Sequence, residues 1–118
     1  MRDQEAVSTL TQTIEGPVAR VDRLYAFDRL RDLCRTAPRP VRRARTRLAA
    51  LADAGADRQA EADGTLLFDG GLIVSTAVTA TTVHEAIDLL LARFRHRLER
   101  LGETRPDQPI GSFPASAA

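Results

Sequence analysis

Asp69-Gly70-Gly71 separates two runs of alternating polarity, and that arrangement leaves the chain few options. A tight reversal between strands needs residues that accept positive φ, which glycines after an aspartate supply. Before the triplet, Glu61 to Phe68 puts Ala62, Gly64, Leu66 and Phe68 on one side and Glu61, Asp63, Thr65 and Leu67 on the other. After it, Leu72 to Ala80 puts Leu72, Val74, Thr76 and Val78 on a single side. Two runs of period two joined in this way predict an antiparallel hairpin with one buried face. The triplet reads as a turn and not as a phosphate loop, because no helix N-terminus follows it directly.

A helix must follow the hairpin. Thr82 and Glu85 have the spacing of a capping box, in which the hydroxyl accepts from the amide three residues on and the carboxylate reaches back. Val83, Ile87, Leu90, Leu91, Phe94, Leu98 and Leu101 then recur at helical period and predict a buried stripe ending at Gly102. Arg93, Arg97 and Arg100 fall together on one flank at i, i+4, i+7, with His96 beside them.

The first half of the chain supplies the remaining layer. Ala6 to Ile14 is Thr-rich and alternates loosely, as an edge strand would, before Gly16-Pro17 breaks it. Val18 to Ala37 is helical in pattern, with Leu24, Phe27, Leu30, Leu33, Cys34 and Ala37 on one broad side. Tyr25, Asp28, Arg29, Asp32 and Arg35 fall on the other side, and Pro38-Arg39-Pro40 ends the helix. Val41 to Ala50 returns to period two, with Ala44, Thr46, Leu48 and Ala50 facing inward and Arg43, Arg45 and Arg47 outward. Leu51 to Gln59 is small, polar and acidic, and reads as a loop. Two helices that are each apolar on one side need a sheet face to cover. The expected fold is therefore α+β, a two-layer βαβββα sandwich with two helices on one face of a four-stranded sheet. It spans residues 6–102, between a disordered N-terminus at 1–5 and a disordered tail at 103–118.

Charge says more about function than its total suggests. The net charge is +1, yet Arg20 to Arg47 holds ten arginines against Asp22, Asp28 and Asp32. Leu48 to Leu89 holds one arginine against seven acids, and Arg93 to Arg105 holds five against Glu99 and Glu103. All seventeen cationic side chains are arginine, whose planar fork suits phosphate and base stacking. Basic segments that converge in space bind polyanions. The bland alternatives are specific. Arg43, Arg45 and Arg47 have Glu61 and Asp63 across the sheet to pair with, and the α-helical arginines suit a solvated helix C-terminus.

Other chemistries find little support. His84 and His96 stand twelve apart with no further ligand cluster, and Cys34 sits on an apolar helix side without an acid or histidine partner. No carboxylate pair, triad or cofactor loop is present, so no enzyme activity, metal, cofactor or small-molecule substrate is expected. A single cysteine, no apolar run of membrane-spanning length, and acids at Asp3, Glu5 and Glu15 predict a cytoplasmic protein without a membrane partner.

The run from Phe68 to Arg100 resembles the end of the ribosome hibernation-promoting factor family, also called ribosome-associated inhibitor or sigma-54 modulation protein. Its members show a strand, an Asn-Gly or Asp-Gly turn, an alternating strand, and a helix carrying an Ala-Ile-Asp-x-Leu run followed by spaced arginines. Asp69-Gly70, Glu85-Ala86-Ile87-Asp88-Leu89-Leu90 and Arg93 through Arg100 fit that pattern. Pro40-Val41 through Leu48 is similar to the family's second strand. The resemblance covers about Val18 to Leu101 and is to a short or divergent member. This chain uses arginine alone where members mix lysine and arginine, has His84 where many carry an aromatic, and stops at Ala118 where long members continue into a second domain.

The resemblance implies a non-enzymatic domain that binds the small ribosomal subunit near the decoding centre, overlaps the mRNA and tRNA sites, and stalls translation in stress or stationary phase. Carried over, the rRNA-binding positions are Arg93, Arg97 and Arg100, together with Arg29 and Arg35 on the first helix; His96 beside them and the strand row Arg43, Arg45 and Arg47 are further candidate rRNA contacts. Two other readings stay open. One is a protein-interaction module that self-associates through the outer sheet face at Leu67, Ile73 and Ala77. The other is a general double-stranded-RNA-binding domain.

Overall fold

The computed structural model describes residues 7–51 and 60–102; the expected N-terminal segment, most of the Leu51–Gln59 loop and the C-terminal tail lie outside them. Six elements follow one another: β1 (Val7–Glu15), α1 (Arg20–Arg35), β2 (Val41–Ala50), β3 (Ala60–Phe68), β4 (Ile73–Ala80) and α2 (Val83–Gly102). This is the expected βαβββα order. The sheet order is β1-β2-β3-β4, with β1 parallel to β2 and the other neighbours antiparallel. A parallel β1–β2 pair needs a crossover, which α1 provides.

Local chemistry explains each boundary. The hairpin closes with Gly71 N–H donating to the Phe68 carbonyl at 3.0 Å and Phe68 N–H to the Leu72 carbonyl at 2.8 Å. Gly70 and Gly71 both adopt φ of +94°, the region an L side chain resists. At the start of α2, the Glu85 amide donates to Thr82 Oγ1 at 3.1 Å, while the Glu85 carboxylate accepts from the Thr81 amide at 3.2 Å. The reciprocal bond thus lands one residue earlier than in the standard box.

The core lies between the sheet and both helices. Ala44, Leu48, Ala62, Leu66, Phe68, Val74 and Val78 face Leu30, Cys34, Ile87, Leu90 and Phe94 in one cluster. Gly64 lets α2 approach the sheet closely at Phe94. A Cβ built there would sit 2.8 Å from Cε2 of the fully buried Phe94 ring. Glycine in a strand interior carries an entropic cost, and here the space it frees is filled by the aromatic of α2.

In α1 the structure departs from the periodicity. The helix starts at Arg20, two residues later than expected, because the Ala19 carbonyl accepts from the Asp22 and Arg23 amides while Ala19 itself is extended. Its buried arc is Ala26, Leu30, Leu33 and Cys34, and Leu24, expected inward, is 54% exposed. Tyr25, expected outward, is half-buried and turned toward α2. The cause is that α1 packs against α2 as well as β1, which rotates its buried side.

Candidate nucleic-acid interface

β4 is a sheet edge, and α2 lies over it. Antiparallel pairing alternates between residues that bond to the neighbouring strand and residues that do not. The Phe68–Leu72 bond sets the phase, so Leu66–Val74, Gly64–Thr76 and Ala62–Val78 are the bonded pairs. The main-chain groups of Ser75 and Ala77 therefore point away from β3. Arg97 uses one of them: its Nη1 donates to the Ser75 carbonyl at 2.8 Å.

That reach from helix to edge strand creates a shallow groove of about 370 Å³ lined by Thr76, Leu89, Ala92, Arg93, His96 and Arg97. Three of the expected RNA-binding side chains thus converge in one place. Arg93 and His96 are exposed and make no ion pair or hydrogen bond among the described residues. Arg100 lies exposed one turn beyond Arg97 on α2 and has interactions of its own. A second recess of about 350 Å³ shares Leu89 and Arg93 with the first and continues along β4 past Ala77 and Thr79 to Arg47, Glu61 and Asp63. Its far wall is acidic.

The outer-face arginines divide into two kinds. Arg47 is engaged by three carboxylates: its Nε donates to Asp63 Oδ2 at 2.9 Å, Nη1 to Glu15 Oε1 at 2.9 Å and Nη2 to Glu61 Oε1 at 3.2 Å. These bonds raise its guanidinium pKa above the usual arginine value, with Glu61 the largest influence and Asp63 next. Cross-strand pairing with Glu61 and Asp63 is thus present at Arg47. Glu15 of β1 adds a third carboxylate, leaving a local surplus of negative charge. Arg43 and Arg45 are exposed without an ion pair among the described residues. Arg45 shares a cross-strand row with Thr65 and Ser75, whose hydroxyls bond at 3.0 Å, so the row leads from Arg45 to the carbonyl that Arg97 caps.

The α1 arginines stand apart from the groove. Arg35 pairs with Asp32 at 3.5 Å one turn earlier, and Arg29 lies over the Tyr25 ring at 5.4 Å. Tyr25 itself anchors a cluster that periodicity did not reveal. Its hydroxyl donates to Asp88 Oδ1 at 2.6 Å, and its ring stacks on His84 at 4.6 Å between centroids. His84 lies between Asp22 at 3.6 Å and Asp88 at 3.5 Å. The bond to Asp88 pushes the Tyr25 phenol pKa up. The cluster clasps the N-terminal halves of the two helices together. Thr76, Leu89 and Ala92 were likewise missed as groove residues. The one available signal was Leu89, an apolar residue outside the helix stripe.

Among the described residues no helix is long and apolar enough to cross a membrane.

No protein-family model matches the chain, and no curated protein matches it. Solved structures do. The Protein Y N-terminal domain of Thermus thermophilus superposes with a TM-score of 0.58 at 21% identity, covering 80% of this chain and 97% of that one. A ribosomal subunit interface protein from Coxiella burnetii superposes with a TM-score of 0.65 at 11% identity, covering 81% of this chain and 99% of that one. The chain therefore shares the fold of these two structures.

Proposed function

We propose that this chain is a cytoplasmic, non-enzymatic ribosome-binding factor. In this reading it docks on the small subunit in stress or stationary phase, and its compact domain fills the channel used by mRNA and tRNA. One observation carries the reading: Arg93, His96 and Arg97 converge on a single groove, in a chain whose fold is shared with a protein described as a ribosomal subunit interface protein.

Arg93, Arg97 and Arg100 neutralise rRNA phosphates from α2, and Arg43 and Arg45 add contacts where the RNA passes round the β4 edge. Arg29 and Arg35 are peripheral contacts on α1. We assign Arg47 to the sheet instead, since three carboxylates already occupy its guanidinium.

Co-sedimentation of the purified protein with small subunits at two salt concentrations tests this. Neutralising the three phosphates assigned to α2 alone makes affinity fall roughly thirty-fold between about 50 and 200 mM salt, and each further arginine contact steepens the fall. Absence of pelleting at low salt would sink the reading, and self-association of the free protein would then transfer weight to the outer sheet face at Leu67 and Ile73. Equal affinity for subunits and for generic RNA duplex would favour a general double-stranded-RNA binder.

A further inference from the structure

The groove beside β4 is not built as a phosphate cradle alone. Between its cations lie Leu89 and Ala92, and Leu89 is 43% exposed although the core stripe of α2 passes it by. A phosphate gains nothing from an isobutyl group. A nucleobase does, because its faces are apolar and its rim is polar. The polar partners are present as well. The Thr76 side chain and His96 line this groove, and in the adjoining recess Ala77 turns its main-chain groups outward along the β4 edge. The bond from Arg97 to the Ser75 carbonyl fixes one edge of a planar guanidinium and holds the rest of its fork toward the groove for a phosphate. The acidic wall of the adjoining recess, Glu61 and Asp63, repels phosphate from the far end. It therefore sets direction, with phosphate toward Arg97 and base toward Leu89.

We propose that this groove takes one unpaired nucleotide of a single-stranded RNA segment, its base on Leu89 and Ala92 and its phosphate between Arg93 and Arg97. The inference rests on the RNA-binding reading above and sharpens it from polyanion binding to recognition of an unstacked base. Duplex RNA keeps its bases stacked inside and cannot fill the site.

The test is direct titration of the full chain with three fluorescein-labelled probes: a mixed-sequence single-stranded RNA octamer, the same ribose-phosphate backbone with every base removed, and an eight-base-pair duplex. The octamer should bind at least tenfold more tightly than either of the others, in line with the contribution of one stacked base. Leu89→Ser should lower octamer affinity to the level of the abasic probe while lowering the melting temperature by only a few degrees and leaving the salt dependence unchanged. Equal binding of all three probes overturns the proposal, as does an unaffected Leu89→Ser variant. Failure to bind any of them also overturns it, even if the protein still pellets with small subunits. Base-dependent octamer binding without subunit pelleting upholds the nucleotide site and rejects the ribosomal role.

Discussion

Arg97 of α2 donates to the main-chain carbonyl of Ser75 at 2.8 Å, closing the helix over the open edge of the sheet. The bond serves two ends: it satisfies a carbonyl that no strand covers, and it fixes the guanidinium beside Arg93 and His96. An exposed bond of this kind contributes about 0.5–1 kcal/mol. Arg97→Ala should therefore lower the melting temperature by only a few degrees, yet weaken small-subunit binding about tenfold. Arg97→Lys keeps the charge but cannot present the planar fork. It should recover most of the salt-dependent binding and leave the preference for single strands, which rests on Leu89, intact.

Gly64 and Phe94 form the contact on which the two layers close. Gly64→Ala would place a methyl 2.8 Å from the Phe94 ring and 3.2 Å from the Arg45 carbonyl. Overpacking at such a site costs about 1–3 kcal/mol, which exceeds any gain from replacing glycine in a strand. Chemical denaturation of Gly64→Ala, Phe94→Leu and the double variant should show the double variant less destabilised than the sum of the singles, by at least about 0.5 kcal/mol. Strict additivity would mean that the two side chains do not compete for the same space.

These two contacts also mark how far the sequence could be read. The hairpin and α2 were legible because their determinants are local: positive φ at Gly70 and Gly71, the Thr82–Glu85 cap, and a stripe from Ile87 to Leu98. Arg93, His96 and Arg97 were identifiable as one flank for the same reason. Their groove was not, because Thr76 and Leu89 meet only after β4 becomes an edge and α2 lies over it. The rotation of α1 depends on Tyr25 reaching Asp88 and His84, sixty-three and fifty-nine positions away, and no period within α1 encodes that. The parallel pairing of β1 with β2 is set by the crossover and not by either strand's own pattern.

Cys34 offers a pH-dependent check on the core. Burial pushes its thiol pKa from 9.0 up to about 12. The folded state therefore holds the proton more tightly than the unfolded state. The stabilisation is complete below about pH 9 and is lost as pH rises toward about 12, at up to ~1.4 kcal/mol per pH unit. Tyr25 is raised too and acts in the same direction, so the thiol contribution is the difference between wild type and Cys34→Ala. The stability of Cys34→Ala should fall less steeply above pH 9. At pH 8 a thiol-specific reagent should react with the folded protein only at the rate of unfolding.

The Tyr25–Asp88 bond predicts a spectroscopic signature. Its 2.6 Å length and the carboxylate charge both oppose loss of the phenol proton. Ultraviolet titration of the single tyrosine should show its midpoint move down toward 10 in Asp88→Asn. No movement would mean that the helix clasp is not closed in solution.

Arg47 and Arg45 lie two residues apart on one face of β2 with different proposed roles, and charge substitution separates them. Arg47 joins Glu15, Glu61 and Asp63 across three strands, but those carboxylates keep 38–57% exposure, so solvent screens each pair to under about 1 kcal/mol. Arg47→Ala leaves three carboxylates facing one another and should destabilise the fold by about 1–2 kcal/mol at low salt. The deficit should shrink as salt is added, because the interactions on both sides of the comparison are screened. Arg45 has no acidic partner among the described residues, and its row runs through Thr65 and Ser75 to Arg97. Arg45→Glu should leave stability within about 0.5 kcal/mol and weaken small-subunit binding several-fold. If RNA passes round the β4 edge and touches both arginines, Arg45→Glu combined with Arg97→Glu should depart from additivity in binding free energy. Additive losses would confine the contact to the groove and leave the outer face free.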